Sequence, residues 1–165
     1  MNNNFTLDLP NEAATLAFAA QFASAVSQSD ALLVSKSSGL VVYLHGDLGA
    51  GKTTFVRGFL HALGYAGKVK SPTYNLVEQY TIVNKTIYHF DLYRFNDAEE
   101  WEAAGFRDYF NAQSICMIEW PEKAEGLLPV PDIDLHLHLQ ETGRIVEMIT
   151  HTTLAQSLIT QMTLS

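Results

Sequence analysis

The stretch Gly46-Asp47-Leu48-Gly49-Ala50-Gly51-Lys52-Thr53-Thr54 contains the eight-residue pattern G-x-x-x-x-G-K-[ST] over Gly46–Thr53. Those residue types at that spacing can hold phosphate. Glycines let the backbone curl so that successive N–H groups point inward at phosphate oxygens. A helix opening there adds unpaired N–H donors and a partial positive charge. Lys52 is expected to reach the β- and γ-phosphates, and the Thr53 hydroxyl to ligate Mg2+. The alternative is a glycine-rich turn carrying a solvated lysine, and the flanking sequence decides against it. Gly39-Leu40-Val41-Val42-Tyr43-Leu44-His45 reads as a buried strand. Val56, Phe59, Leu60 and Leu63 recur at helical spacing, and Gly64 can end that helix. Strand, loop and helix follow in the order that phosphate binding requires.

A triphosphate cradle that hydrolyses its ligand needs an acidic partner near the metal, usually at the end of an apolar strand. Two segments qualify: Ile87-Tyr88-His89-Phe90-Asp91 and Ile115-Cys116-Met117-Ile118-Glu119. Spacing alone divides the metal-side role evenly between Asp91 and Glu119. Thr73, in Ser71-Pro72-Thr73, could sense the γ-phosphate or metal as a switch threonine, or simply serve a turn beside Pro72. Arg94 and Arg107 could offer charge to a developing phosphate, although Arg107 reads better as a surface ion pair. Trp120, next to Glu119, belongs either to the core or to the mouth of the site. His136 and His138 alternate on the polar face of one strand. With no third ligand evident, a solvated face is the expectation there, and His45 is expected to pack.

These residues need a sheet and its helices to bring them together. The spacing predicts a helix over 11–27, from Leu16, Ala19, Phe22, Ala23 and Val26. Strands are expected over 74–83 and 86–93, turning at Asn84-Lys85 as a hairpin. A short helix over 98–104 and a buried strand over 114–120 follow. Strict alternation of Ile133, Leu135, Leu137 and Leu139 with polar residues marks another strand. Glu141-Thr142-Gly143 turns the chain into a strand over 144–151, and a helix is expected from Thr153. Met1 to Asn4 reads as a polar end. At 165 residues the chain is expected to form a single P-loop domain over 1–165, and its antiparallel hairpin departs from the plain βαβ pattern.

Composition sets the surroundings. The apolar fraction of 47% and charged fraction of 17% are globular values. Cys116 is the single cysteine, which excludes an intramolecular disulfide and suits an inert core thiol in a reducing compartment. No lysine or arginine precedes Lys36 and no apolar run reaches membrane-spanning length, so a cytoplasmic protein without a membrane partner is expected. A net charge of −8 gives little of the counterion-releasing surface that nucleic acids need. Asn84-Lys85-Thr86-Ile87 lacks the aspartate of the guanine-selecting N-K-x-D motif. No second glycine-rich segment or lid-like arginine cluster suggests a small-metabolite kinase.

With these residues assembled, the chain resembles the TsaE family (formerly YjeE), bacterial ATPases required for threonylcarbamoyladenosine modification of tRNA. The resemblance rests on Gly46–Thr54, on Ser71-Pro72-Thr73-Tyr74-Asn75-Leu76-Val77-Glu78, on His89-Phe90-Asp91-Leu92-Tyr93-Arg94 and on Ile118-Glu119-Trp120-Pro121-Glu122. Asn75 stands where threonine is more usual. The resemblance implies an α/β P-loop fold with a mixed, partly antiparallel sheet flanked by helices, ATP and Mg2+ as cofactors, weak intrinsic hydrolysis, and a complex with the TsaB–TsaD pair that hydrolysis resets between turnovers. tRNA would be met only through that complex. It further implies Thr53 and Glu119 as metal ligands, which tilts the even division above. Asp91 would stand near the γ-phosphate and attacking water, Thr73 would be a switch threonine, and Glu122 would reach the nucleotide. Glu12 and the Gly143–Arg144 turn are guesses for the adenine.

Overall fold

The computed structural model describes residues 4–30, 33, 36–72, 74–82 and 84–162. Strands β1 (Asn4–Leu9), β2 (Leu40–His45), β3 (Val77–Ile82), β4 (Lys85–Asp91), β5 (Ser114–Glu119), β6 (Ile133–Leu139) and β7 (Arg144–Thr150) form one sheet. Its order is β1-β7-β6-β2-β5-β4-β3. The central strands β6, β2, β5 and β4 run parallel. The hairpin β3–β4 and the pairs β6–β7 and β1–β7 are antiparallel. The expected mixed sheet is thus present, with its parallel part at the phosphate-binding strand.

Helices α1 (Glu12–Ser27), α2 (Lys52–Ala62), α3 (Ala98–Ala104) and α4 (Thr153–Gln161) flank the sheet. Period-2 alternation along each central strand sends successive side chains into two cores. Leu40, Val42 and Leu44 of β2 join Ile115 and Met117 of β5 beneath α1, α2 and α4. Val41, Cys116, Ile118 and Phe90 face the other way, towards Trp101 of α3 and Phe106. Asn11 starts α1 by accepting the Ala14 amide at 2.9 Å, a side-chain cap of the usual polar type. α1 lies against α2 through Phe18–Phe55 and Phe22–Phe59, with ring centroids 5.6 and 5.8 Å apart. The approach is tight at Gly58, where an added Cβ would lie 2.9 Å from the Ala19 methyl. Glycine inside a helix costs roughly 1 kcal/mol in propensity; here it admits the neighbouring helix.

One placement differs from expectation. Met1–Asn3 lie outside the described residues, whereas Asn4 is not part of a loose end: it opens β1, an edge strand paired with β7. Phe5 and Leu7 pack on the core, and Leu9 is buried. The run of asparagines hides that alternation in the sequence. At the start of β6, the buried Asp132 carboxylate accepts the Val41 amide and the Thr152 hydroxyl, each at 2.8 Å, with the Lys36 ammonium at 3.3 Å. It ties β2 to β6 and α4, fixing the strand that feeds the phosphate loop.

Candidate nucleotide-binding site

β2 delivers the chain into the loop at Gly46, and α2 begins at Lys52. Gly46 and Gly51 have φ of 149° and 107°, conformations that L side chains rarely adopt. A Cβ on Gly46 would also lie 2.7 Å from the Leu137 carbonyl oxygen. The glycines are thus required by the path of the loop. Asp47 and Ala50 close a turn, with the Ala50 amide donating to the Asp47 carbonyl at 3.0 Å. Ala50 is buried beneath the loop, while Asp47, Leu48 and Gly49 are exposed at its tip.

Strand register brings the distant acids to this loop. Asp91 and Glu119 are paired residues at the ends of parallel β4 and β5. Both carboxylates lie on the sheet face covered by α2, two residues beyond His89 and Met117 respectively. The Thr53 hydroxyl at the start of α2 donates to Glu119 Oε2 at 3.0 Å. His89, fully buried, sets its Nε2 2.6 Å from the same oxygen. Asp91 accepts the Ser71 hydroxyl through Oδ2, and the Tyr93 amide through Oδ1 at 3.1 Å. Each acid is therefore held by neighbours rather than free to swing.

Lys52 is 5% exposed. Its ammonium donates to the Gly46 carbonyl and sits 3.9 Å from the centre of the Trp120 ring. Burial pulls its pKa below the ordinary lysine value, and the Glu119, Asp91, Glu122 and Asp47 carboxylates oppose that shift. Trp120 therefore stands at the cleft wall while packing, partly buried, against the second core. It occupies a left-handed backbone conformation (φ 59°) that turns the chain from β5 into the 3-10 turn Pro121–Ala124.

Around these groups lies a cleft of about 560 Å³, whose walls include Lys52, Thr53, Ser71, Asp91, Glu119 and Trp120. Glu12, Arg94 and Arg144 line it as well. The Arg144 side chain lies 3.5 Å from where a Gly51 Cβ would be, and its buried Nε has no hydrogen-bond partner. Glu122 lies beside a neighbouring hollow shared with Tyr43 and His45, while remaining near enough to act on the Lys52 charge. Arg107 pairs with Glu102 on the surface. Thr73 lies outside the described residues. Sequence reasoning did not single out Ser71 or His89. The latter shares Asp91's face of β4 by period-2 spacing, which was the available signal.

The fit to a nucleotide and its metal can be judged from these atoms. Glycine-enabled backbone, a buried lysine resting on a carbonyl, and an unpartnered arginine nitrogen beside the loop suit an anion. A hydroxyl and a carboxylate in mutual contact are the hard oxygen donors that Mg2+ takes.

A family profile described as “Threonylcarbamoyl adenosine biosynthesis protein TsaE” matches residues 9–146. The chain belongs to the TsaE family. A Haemophilus influenzae relative, “tRNA threonylcarbamoyladenosine biosynthesis protein TsaE”, is 47% identical over 156 residues, covering 94% of this chain and 96% of its own. A Bacillus subtilis protein of the same name is 44% identical over 91 residues, covering 55% of this chain and 56% of its own. The crystal structure of YdiB from Bacillus subtilis superimposes with a TM-score of 0.73 at 26% identity, covering 98% of this chain and 95% of that one. The family and α/β fold inferred from four short motifs are those found. No helix among the described residues is long and apolar enough to cross a membrane.

Proposed function

We propose that this chain is a Mg2+-dependent ATPase serving threonylcarbamoyladenosine synthesis on tRNA, acting as an accessory subunit of a TsaB–TsaD complex and resetting it between turnovers. The observation that carries the reading is the convergence of Thr53, Glu119 and Asp91 on the mouth of the phosphate loop, within one cleft. Thr53 and Glu119 would hold the metal. Bound there, Mg2+ would neutralise negative charge developing on the phosphates. Asp91 stands beside Glu119 at the end of β4, its carboxylate oriented by Ser71 and the Tyr93 amide. There it would act as the acceptor for the attacking water. Lys52 would exchange the Gly46 carbonyl and the Trp120 ring for phosphate oxygens. Arg94 and Arg144 add positive charge to the cleft walls.

A protein partner suits the surface. Leu48 and Tyr74 are 66% and 86% exposed around the cleft region, and Tyr93 at its edge is 41% exposed. Apolar side chains so placed offer contact area to a protein beside the nucleotide. The net charge of −8 supports contact with tRNA through the complex rather than directly. The test is phosphate release by the purified chain, alone and with TsaB and TsaD. Slow release that rises on adding the pair, together with binding to it, is expected. Absence of both stimulation and binding would overturn the proposal.

A further inference from the structure

The face of the β2–β6–β7 wing that carries Tyr43 and His45 bears a cluster the nucleotide site does not use. In-register pairing sets His45 of β2 beside His136 of β6, and Tyr43 beside Asp134. The His45 and His136 rings stack with centroids 4.2 Å apart and planes 8° from parallel. His45 Nε2 stands 2.6 Å from Asp134 Oδ1. Ligand-competent atoms of His45, Asp134 and His136 all lie within 4.8 Å of one another. All three side chains are only partly buried, so ions can reach them from solvent.

We propose that His45, Asp134 and His136 form a binding site for a divalent transition-metal ion of the Zn2+ class, separate from the Mg2+ position at the phosphate loop. Two imidazoles and one carboxylate are the donor set of such ions, whereas Mg2+ and Ca2+ take oxygens. Tetrahedral ligands at Zn2+ bond lengths stand about 3.4 Å apart, so modest side-chain rotation closes the site. A solvent molecule would take the fourth position.

A second observation concerns how the carboxylate is held. His151 Nε2 lies 2.6 Å from Asp134 Oδ2, on the oxygen that His45 does not use. The His151 backbone is itself fixed, its amide donating to the Asp132 carbonyl at 2.8 Å. One carboxylate oxygen is thus anchored by His151 and the other meets His45, and hydrogen bonding of this kind orients a ligating carboxylate. His138 continues the stack beyond His136, with ring centroids 6.0 Å apart, but its side chain is 52% exposed, lies 3.5 Å from Glu147 and falls outside the ligand group. The site adjoins function in sequence, because His45 directly precedes Gly46. A bound ion would tie the end of β2 to β6 immediately before the phosphate loop.

The test uses the full chain stripped of metal with a chelator, then titrated with Co2+ as a spectroscopic probe and with Zn2+ by calorimetry, in excess Mg2+. One equivalent is expected, with a ligand-field spectrum of low coordination number that Zn2+ bleaches and Mg2+ does not. His136→Gln and His45→Gln should each weaken binding at least about tenfold, while His138→Gln leaves it within about twofold. Zn2+ should raise the Tm of the wild type and of His138→Gln, but not of His136→Gln. Circular dichroism of the metal-free variants separates lost ligands from lost fold, and His45→Gln gives the answer if His136→Gln unfolds. No stoichiometric binding by the wild type, or equal affinity in wild type, His136→Gln and His45→Gln, would overturn the proposal.

Discussion

Glu119→Gln distinguishes a metal ligand from a structural carboxylate. The substitution keeps shape and removes charge at a side chain 3% exposed. In the wild type, Oε2 receives both the Thr53 hydroxyl at 3.0 Å and His89 Nε2 at 2.6 Å. Hydrogen bonds to a charged group contribute roughly 1.5–3 kcal/mol, against 0.5–1.5 for neutral ones. Losing the charge should therefore cost about 1 kcal/mol per contact, or about 2 kcal/mol of stability, and the variant should stay folded. Its effect on the nucleotide should depend on the metal. With EDTA present, ATP affinity should hold or rise, because a negative charge has left the phosphate site. With Mg2+ present, affinity should fall about 10–100-fold, the scale seen when metal-site groups are altered. Calorimetric titration under both conditions reads the two numbers. An equal change in both, or none in either, would show that Glu119 does not hold the metal.

Other consequences follow from the same contacts. Lys52→Ala should weaken ATP binding or turnover at least tenfold, measured by titration and phosphate release, and unchanged values would contradict the phosphate-loop assignment. Gly58→Val should destabilise the chain by about 3 kcal/mol, at the upper end of overpacking costs, because its Cβ would crowd Ala19 and Leu16 where α1 crosses α2; urea denaturation measures it, and a loss under about 1 kcal/mol would show that the helices yield there. Cys116 is fully buried, and burial pushes its thiol pKa well up. Thiol reagents should therefore label it only as the chain unfolds, following the loss of circular dichroism; rapid labelling of the native protein would contradict its place in the core.

The phosphate loop was legible because its glycines, lysine and threonine act through neighbours in sequence. The strand-end acids were legible too, since an apolar run ending in a carboxylate needs no tertiary knowledge to notice. Their division of labour was not. That Glu119 meets Thr53 while Asp91 meets Ser71 depends on the register of β4 against β5 and on the path of the 64–72 loop. The same reason hid the histidine cluster. His45 reads as a packing residue and His136 as a solvated one until parallel pairing sets them side by side and adds Asp134. β1 escaped notice because an edge strand with one wet face shows only Phe5, Leu7 and Leu9, and its partner β7 lies at the far end of the chain. Local chemistry survives in sequence, whereas contacts that depend on strand register do not.

The central claim is that Asp91 serves hydrolysis rather than binding. Asp91→Ala, assembled with TsaB and TsaD and given substoichiometric ATP in a single-turnover experiment, tests it most directly. ATP affinity is expected to stay within a few-fold of wild type while the hydrolysis rate falls by about 10²–10⁴, the contribution of a positioned acid–base group. A normal rate in that variant would show that Asp91 takes no part in hydrolysis.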